Sequence, residues 1–336
     1  MAVDPLLIDL AGERRKAWAD ESMVGQCELG DEVVVNVEAV DLGLGSGGFD
    51  IVHVNLTRGL DAAGSDSEHV MKLNYSSLQH PVGTIERPVD GDGTGPAVPV
   101  VAIGLHGHLA PCAWAAAEAS RPGSPPRIGY IQTGGGALPG RFSSDVKELL
   151  ERDLLAGHVT AGPAFGGLNE AITLVGAIDA AASLGWDGVI AGPGPGILGS
   201  ATVYGHGGMA ALDVAHAGLS LRAPVILSPR LSGGDPRPRH RGLSHHTRSV
   251  LELLLGGVDL PLPDNQRDLA EAIDRTDRAE HRISFEKVDL AAYAASGLPR
   301  RTMGRDIEED PEFFSGPLAA GVRLADSVRA ERIARR

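Results

Sequence analysis

Residues 235–255 read DPRPRHRGLSHHTRSVLELLL, placing four arginines and three histidines in one short stretch of a chain whose formal net charge is −14. Arginine presents a planar fork of donors that matches carboxylate and phosphate oxygens. Ser244 is a suitable N-cap for a helix whose Val250, Leu251, Leu254 and Leu255 form an apolar stripe ending at Gly256. The basic loop therefore empties onto a helix N-terminus, where free amides and the positive dipole end also favour an anion. Arg237, Arg239, His240 and Ser244 are the expected ligands of a small anion. The competing reading, a solvated loop paired with the many acidic residues, is weakened by Pro236 and Pro238, which stiffen the stretch.

Imidazole titrates near neutral pH, so His106, His245 and His246 are the acid/base candidates if the protein is an enzyme, with Asp235 as the carboxylate of the same loop. The same groups could act as metal ligands: Asp235, His240, and His245 or His246, with His106 or His108, in a metal-dependent hydrolase. Against this, adjacent histidines on a helix diverge by about 100° and no HExxH spacing occurs. No metal ligand is assigned, and purified protein is expected to carry well under one tightly bound ion per chain. Isolated histidines such as His53, His80, His158 and His216 read as structural. So do Cys112, in an alanine-rich helix, and Glu170 and Asp213, read as exposed carboxylates on helices.

Two glycine-rich loops could line the same site. TGGGALPG offers the Thr133 hydroxyl and the amides of Gly134, Gly135 and Gly136 as an anion nest. GPGILG (194–199) matches the dinucleotide fingerprint through Gly194, Gly196 and Gly199. Pro193 and Pro195 remove donors beside those glycines, however, and the next helix is expected only near Gly207 or Met209. A general ligand cradle or a structural turn fits better than nicotinamide dinucleotide binding, and no cofactor is assigned.

These loops need a scaffold that brings them to one edge. PVVAIGL (99–105), RIGYIQ (127–132), DGVIAG (187–192), APVILS (223–228) and HRISFEKV (281–288) alternate with helical patterns, which predicts a mainly parallel sheet covered on both faces. In such a sheet, ligands bind beyond the carboxyl ends of the strands. The loops starting at His106, Thr133, Pro193 and Pro229 should share one cleft there. Helix ends are expected at Ser144 and Gly157 for SSDVKELLERDLLAG, and at an Asp310 cap with Pro311 as the first residue of the last helix, whose final ten or so residues should fray. Upstream, DEVVVNVEAVDLGLGSGGFDIVHVNL alternates apolar residues on both sides of a glycine-rich turn. The expected fold is α/β: a small β-rich, barrel-like domain over residues 1–90 and a Rossmann-like three-layer domain over 97–330. ERPVDGDGTGPAVP (86–99) is the linker.

An acidic chain lacks the broad basic surface that nucleic acid or anionic membrane requires. Cys27 and Cys112 form no CxxC pair, no run reaches the roughly 18 apolar residues of a membrane span, and the first residues lack a signal-peptide pattern, so a cytoplasmic protein is expected. With 45 glycines and only 4% aromatics, the chain must rely on tight turns and close backbone approach. The order of NVEAVDLGLGSGGFDIV, HVMKLNYSSLQ, DPRPRHRGLSHHT and RTMGRDIEEDPEFF resembles the bacterial family catalogued as domain of unknown function 3866, from about Gly30 to about Val322, with a shorter front than is usual for it. The resemblance implies no particular activity. The residues themselves favour binding of a small anionic, phosphate-bearing or nucleotide-like ligand. A metal-dependent hydrolase and a non-catalytic sensor or assembly protein are the alternatives, and homo-oligomer formation is compatible with each.

Overall fold

The computed structural model describes residues 6–43, 48–59, 69–90, 97–120, 123–136, 138–273 and 279–334. The chain divides into two compact units, Met1–Gly83 and Thr84–Arg336. The division falls ahead of the expected linker, of which residues 91–96 lie outside the described residues.

The first unit contains β1 (Leu6–Leu10), β2 (Glu13–Trp18), α1 (Glu21–Val24), β3 (Val33–Asn36), α2 (Glu38–Asp41), β4 (Asp50–Asn55), β5 (Val70–Lys72) and β6 (His80–Val82). The first four strands make a half-barrel sheet in the order β1-β2-β4-β3, and β5 and β6 form a separate hairpin. The apolar alternation read around the glycine-rich turn corresponds to β3 and β4, which pair antiparallel; residues 44–47 of that turn lie outside the described residues. The core is small: Ala17, Ala19, Val24 and Val52. Arg15 adds a two-pronged bond to the buried Asp50.

The second unit opens with β7 (Val100–Ala102), α3 (Leu109–Glu118), β8 (Ile128–Thr133), α4 (Ser144–Glu151), β9 (Gly157–Ala161), β10 (Asn169–Ala171), α5 (Leu174–Ala180) and β11 (Gly188–Pro193). It continues through α6 (Ala210–Ser220), β12 (Val225–Leu227), the short strands β13 (Leu231–Ser232) and β14 (Gly242–Leu243), α7 (His245–Leu253) and β15 (Asp259–Pro263). It ends with α8 (Asp268–Ile273), β16 (Arg282–Glu286), α9 (Leu290–Ala295), β17 (Arg301–Thr302), β18 (Arg305–Asp306) and α10 (Pro311–Ala334).

Eight strands form one sheet in the order β10-β9-β8-β11-β7-β12-β15-β16, and every pairing is parallel. Successive residues of each strand face opposite sides. Val100, Ala102, Val189, Ala191, Val225 and Leu227 pack with α5, α6 and α7 on one face. Val101, Ile103, Ile190 and Ile226 pack with α3, α4, α9 and α10 on the other. This is the three-layer Rossmann-like arrangement that the sequence implies.

Some local readings are corrected. Ser143, not Ser144, caps α4 by accepting from the Val146 amide, and Gly157 begins β9 rather than closing a helix. Asp310 does precede a helix starting at Pro311, but its carboxylate accepts from Ser232 and from the Gly233 and Gly234 amides. That helix continues to Ala334, with its inner face buried along α3 and β15 as far as Val328 and its last turns held by Arg329, which donates to Asp326 and the Ala119 carbonyl, and by Arg332, which pairs with Asp187. Glu170 lies on β10, not on a helix, and is buried, accepting from Thr160 Oγ1 and the Gly166 amide. The strand β15, DLPLP, hides behind two prolines. The Asp264 amide donates to the Glu286 carbonyl, so alternate residues face β16 while Pro261 and Pro263 face the side where β12 has already ended at Leu227. The missing N–H groups cost no ladder bond there.

No helix among the described residues is long and apolar enough to cross a membrane.

Candidate functional site

All eight strands are parallel, so the loops after β7, β8, β11 and β12 emerge at one edge of the sheet. The chain runs from β8 outward to β9 and β10, then returns to β11 and crosses to β12, so the strand order reverses at β8/β11 and again at β7/β12. A recess lies at each reversal, where crevices form in open α/β sheets. At β7/β12 a small, partly open pocket of about 10 Å³ is lined by Gly104, His108, Gly208, Ser228, Arg230 and His246, among others. At β8/β11 an open groove of about 440 Å³ is lined by Gly135, Leu198, Gly199, Ser200, Gly205, His206 and Gly207. The His206–Gly208 turn joins the two.

The basic stretch sits at this edge. β13 and β14 pair antiparallel and pin the two ends of the 233–241 loop. Ser244 caps α7, accepting from the His246 amide at 3.3 Å, and hydrogen-bonds to His240 Nδ1 at 2.8 Å. The Arg230 backbone is fastened to the start of the same helix: its amide donates to Thr247 Oγ1 and its carbonyl accepts from the Ser244 amide.

Four histidines meet there. The ring centroids of His206 and His246 are 3.7 Å apart with planes at 5°. His245 lies 5.2 Å from His206 and 4.4 Å from His246, and His240 lies 4.7 Å from His245. Burial pushes all four below the usual histidine range, His240 to about 3 and His246 to about 2, with Arg230 as the second cause for both. They are neutral imidazoles at pH 7. His206 Nε2 donates to the Val203 carbonyl at 3.1 Å, while its Nδ1 is buried with no hydrogen-bond partner. Both ring nitrogens of His245 also lack a well-formed hydrogen bond, the Arg239 main chain being the neighbour that favours its charged form.

Beside the rings lies a network of fixed charges. Asp235 is fully buried and receives Arg237 through Nε and Nη2 at 2.9 and 2.8 Å. Arg230 and Arg305 each approach the same carboxylate to 3.6 Å, and Arg305 also reaches Asp310 at 3.0 Å. Arg237 beside it holds the Asp235 carboxyl far below the usual range. Three guanidiniums over two carboxylates leave one positive charge in excess. Arg230 is only 5% exposed, and burial pushes it down to about 10. Its Nη1 donates to His246 Nδ1 at 2.9 Å, while its Nε, like Arg305 Nη2, is buried without a hydrogen bond.

The structure therefore brings together Asp235, Arg237, His240, Ser244, His245 and His246, and adds Arg230, Arg305 and His206. Asp235 is committed to arginines. Arg239 is exposed, and no ion pair holds it among the described residues. His106 stands apart, buried against Ser143 at 2.8 Å and Tyr130 at 3.4 Å. Thr133 and Gly134 to Gly136 lie at the end of β8, and Gly135 alone of them lines the groove. A Cβ at Gly136 would collide with the Pro195 carbonyl oxygen, and one at Gly134 with the Pro163 ring, so these two serve close loop packing. Gly194 likewise packs on Gln132, whereas Gly196, at φ +82, and Gly199 are open. The helix after that loop begins at Ala210 behind a short turn at Gly207–Met209, too late for a dinucleotide fingerprint. His206 and Arg230 were not singled out by spacing. The available signal was position, since Arg230 stands three residues after the end of β12 and His206 immediately precedes that helix-opening turn.

A family model described as "Protein of unknown function (DUF3866)" matches residues 16–321, and the chain belongs to that family. The match begins earlier than the Gly30 expected from its motifs. No curated protein and no solved structure gives a match.

Proposed function

We propose that this DUF3866 protein binds a small anionic ligand, phosphate-bearing or nucleotide-like, at the carboxyl edge of its parallel sheet. One observation carries the reading: Arg230 is buried at a strand end, against the first turn of α7, with its Nε lacking any hydrogen bond. A buried guanidinium with an unspent donor is costly unless something accepts from it. The excess positive charge of the arginine network and the amides opening α7 act in the same direction. Arg230 and Arg305 would hold the anion, with His240 and Ser244 supporting the helix start and Arg239 reaching in from the loop. The groove at Gly135, Gly199 and His206 would take the uncharged part of the ligand. His245, whose ring nitrogens are unspent, is the group able to exchange protons with it; His246, pushed to about 2 and accepting from Arg230, is not. His106, buried against Ser143 and Tyr130, is placed for packing. The hydrolase reading that relies on Asp235 gains no support, because that carboxylate is already bound by Arg237.

The test is a melting-temperature screen with inorganic phosphate, nucleotides and sugar phosphates. A ligand at one hundred times its Kd stabilises the fold by about 2.7 kcal/mol, which raises the midpoint measurably. Arg230→Lys should abolish the rise, since lysine cannot reproduce the planar fork. If no anion moves the wild-type midpoint, the reading fails.

A further inference from the structure

We infer that His206, His245 and His246 form a binding site for one divalent transition-metal ion of the zinc class. The site goes beyond anion binding and uses no carboxylate. One ligand nitrogen from each of the three residues lies within 4.8 Å of the others. Zinc–imidazole bonds of about 2.0–2.1 Å require the nitrogens to close in by roughly an ångström, which ring rotation supplies.

His206 is already arranged as a ligand. Its Nε2–H is given to the Val203 carbonyl, which leaves the lone pair on Nδ1, and that atom is buried, unpartnered and 6% exposed as a residue. A backbone carbonyl fixing the far nitrogen is the usual support of a metal-bound histidine. Val203 is itself held, since its carbonyl also accepts from Ser249 Oγ on α7 at 3.0 Å. His245 supplies a second imidazole with neither nitrogen spent on a well-formed bond. His246 supplies the third through Nδ1, which is an acceptor because a guanidinium can only donate to it. Gly208 leaves room for the ion: a Cβ there would lie 3.0 Å from both His206 Nδ1 and His246 Nδ1.

The geometry also specifies what must change on binding. Parallel stacked rings share no in-plane point, so one of His206 and His246 turns to meet the ion. Arg230 gives up His246 in the same step, and its Nη2 already lies 3.6 Å from Asp235. Three imidazoles leave a fourth position open, toward the groove that His206 lines.

The experiment uses untagged full-length protein, stripped with chelator and equilibrated with Zn²⁺ or Co²⁺ alone, without phosphate, followed by elemental analysis. One ion per chain is expected, bound at least about tenfold more weakly by His206→Gln and by His245→Gln and unchanged in His53→Gln. Less than half an ion per wild-type chain overturns the site, whatever the variants do. Equal affinity in wild type and in folded His206→Gln or His245→Gln protein, checked by circular dichroism, overturns it as well. Because Arg230 contacts His246, the anion screen is run on metal-free protein and read separately.

Discussion

Two histidine clusters lie at the same edge of the sheet, and they are built differently. In the first, His106 Nε2 hydrogen-bonds to Ser143, which itself caps α4, and Tyr130 donates to the Gly192 and Pro193 carbonyls while stacking on His158 at 5.3 Å. The nearest charge is Asp145, 3.9 Å from His106. In the second, four rings stand beside three arginines and two buried carboxylates, with nitrogens and guanidinium donors left unspent. A histidine at a strand end is thus a poor marker of function by itself. His158 Nε2 in the first cluster is also buried without a partner, so the distinguishing feature is the set of fixed charges beside the rings, where only the second cluster leaves guanidinium donors unspent.

The comparison breaks most readily at the carboxylates. Asp235→Ala would leave Arg230 and Arg305, 6% and 16% exposed, without the carboxylate they share, and removing one partner of a buried ion pair costs about 3–5 kcal/mol. Asp145→Ala, at the rim of the first cluster, should cost below about 1 kcal/mol. Urea unfolding of both variants measures the difference. Equal losses would mean that the arginine network is no more tightly held than a surface pair.

Acid should act through buried rings, among them His158 of the first cluster and His108 of the β7/β12 pocket. Burial pushes His158 to about 3, with His106 as a second cause, and His108 to about 3, with Arg230 as a second cause. Unfolded histidine titrates near 6.5, so the unfolded chain binds more protons between those values and stability falls as pH drops below about 6.5. The slope approaches about 1.4 kcal/mol per pH unit for each ring, and the loss is complete only near the folded value. His158→Phe should flatten the decline between pH 6.5 and 5 in denaturant titrations. An unchanged slope would show that this ring is not held neutral by burial.

The fold was legible because strand and helix periodicities survive in a sheet buried on both faces: five of the expected strands coincide with β7, β8, β11, β12 and β16. Those missed have physical reasons. β15 carries prolines that only its position beyond the end of β12 permits. β9, GHVTA, begins at a glycine that resembles a helix stop and carries His158 and Thr160, and β10, NEA, has two polar residues of three, so neither shows an apolar run. The basic stretch was legible as a site candidate, and Ser244 as its helix cap, because both depend on residues adjacent in sequence. The partners of that stretch were not. Arg230, His206, Arg305 and Asp310 arrive through strand order and through contacts spanning up to 78 residues, such as Ser232 to Asp310, which no local spacing encodes.

Helix caps give a smaller and more even comparison. Ser143 and Ser244 each accept from the amide of a first-turn residue and each touch a histidine. Replacing either with alanine should cost about 1 kcal/mol. Only Ser244→Ala should also weaken any anion-induced rise in melting temperature, because only its helix opens beside unspent arginine donors. A matching loss in Ser143→Ala would move the candidate site toward the first cluster.

The smallest effect separates two arginines one residue apart on the same loop. Read from sequence alone, Arg237 and Arg239 are equivalent, and alanine at either should change stability by less than about 0.5 kcal/mol. The structure divides them. Arg237 donates twice to a fully buried carboxylate, so its loss leaves Asp235 to Arg230 and Arg305 at 3.6 Å and should destabilise the fold well beyond that bound. Arg239 is exposed on the same loop, so Arg239→Ala should stay within about 0.5 kcal/mol of wild type. Its effect should appear instead as a weaker response to phosphate, greatest at low salt because an exposed charge is screened over about 10 Å at 0.1 M ionic strength. Equal stability of the two variants would mean that Arg237 is also a solvated loop residue, and the ion-pair network would then shrink to Arg230, Arg305 and their two carboxylates.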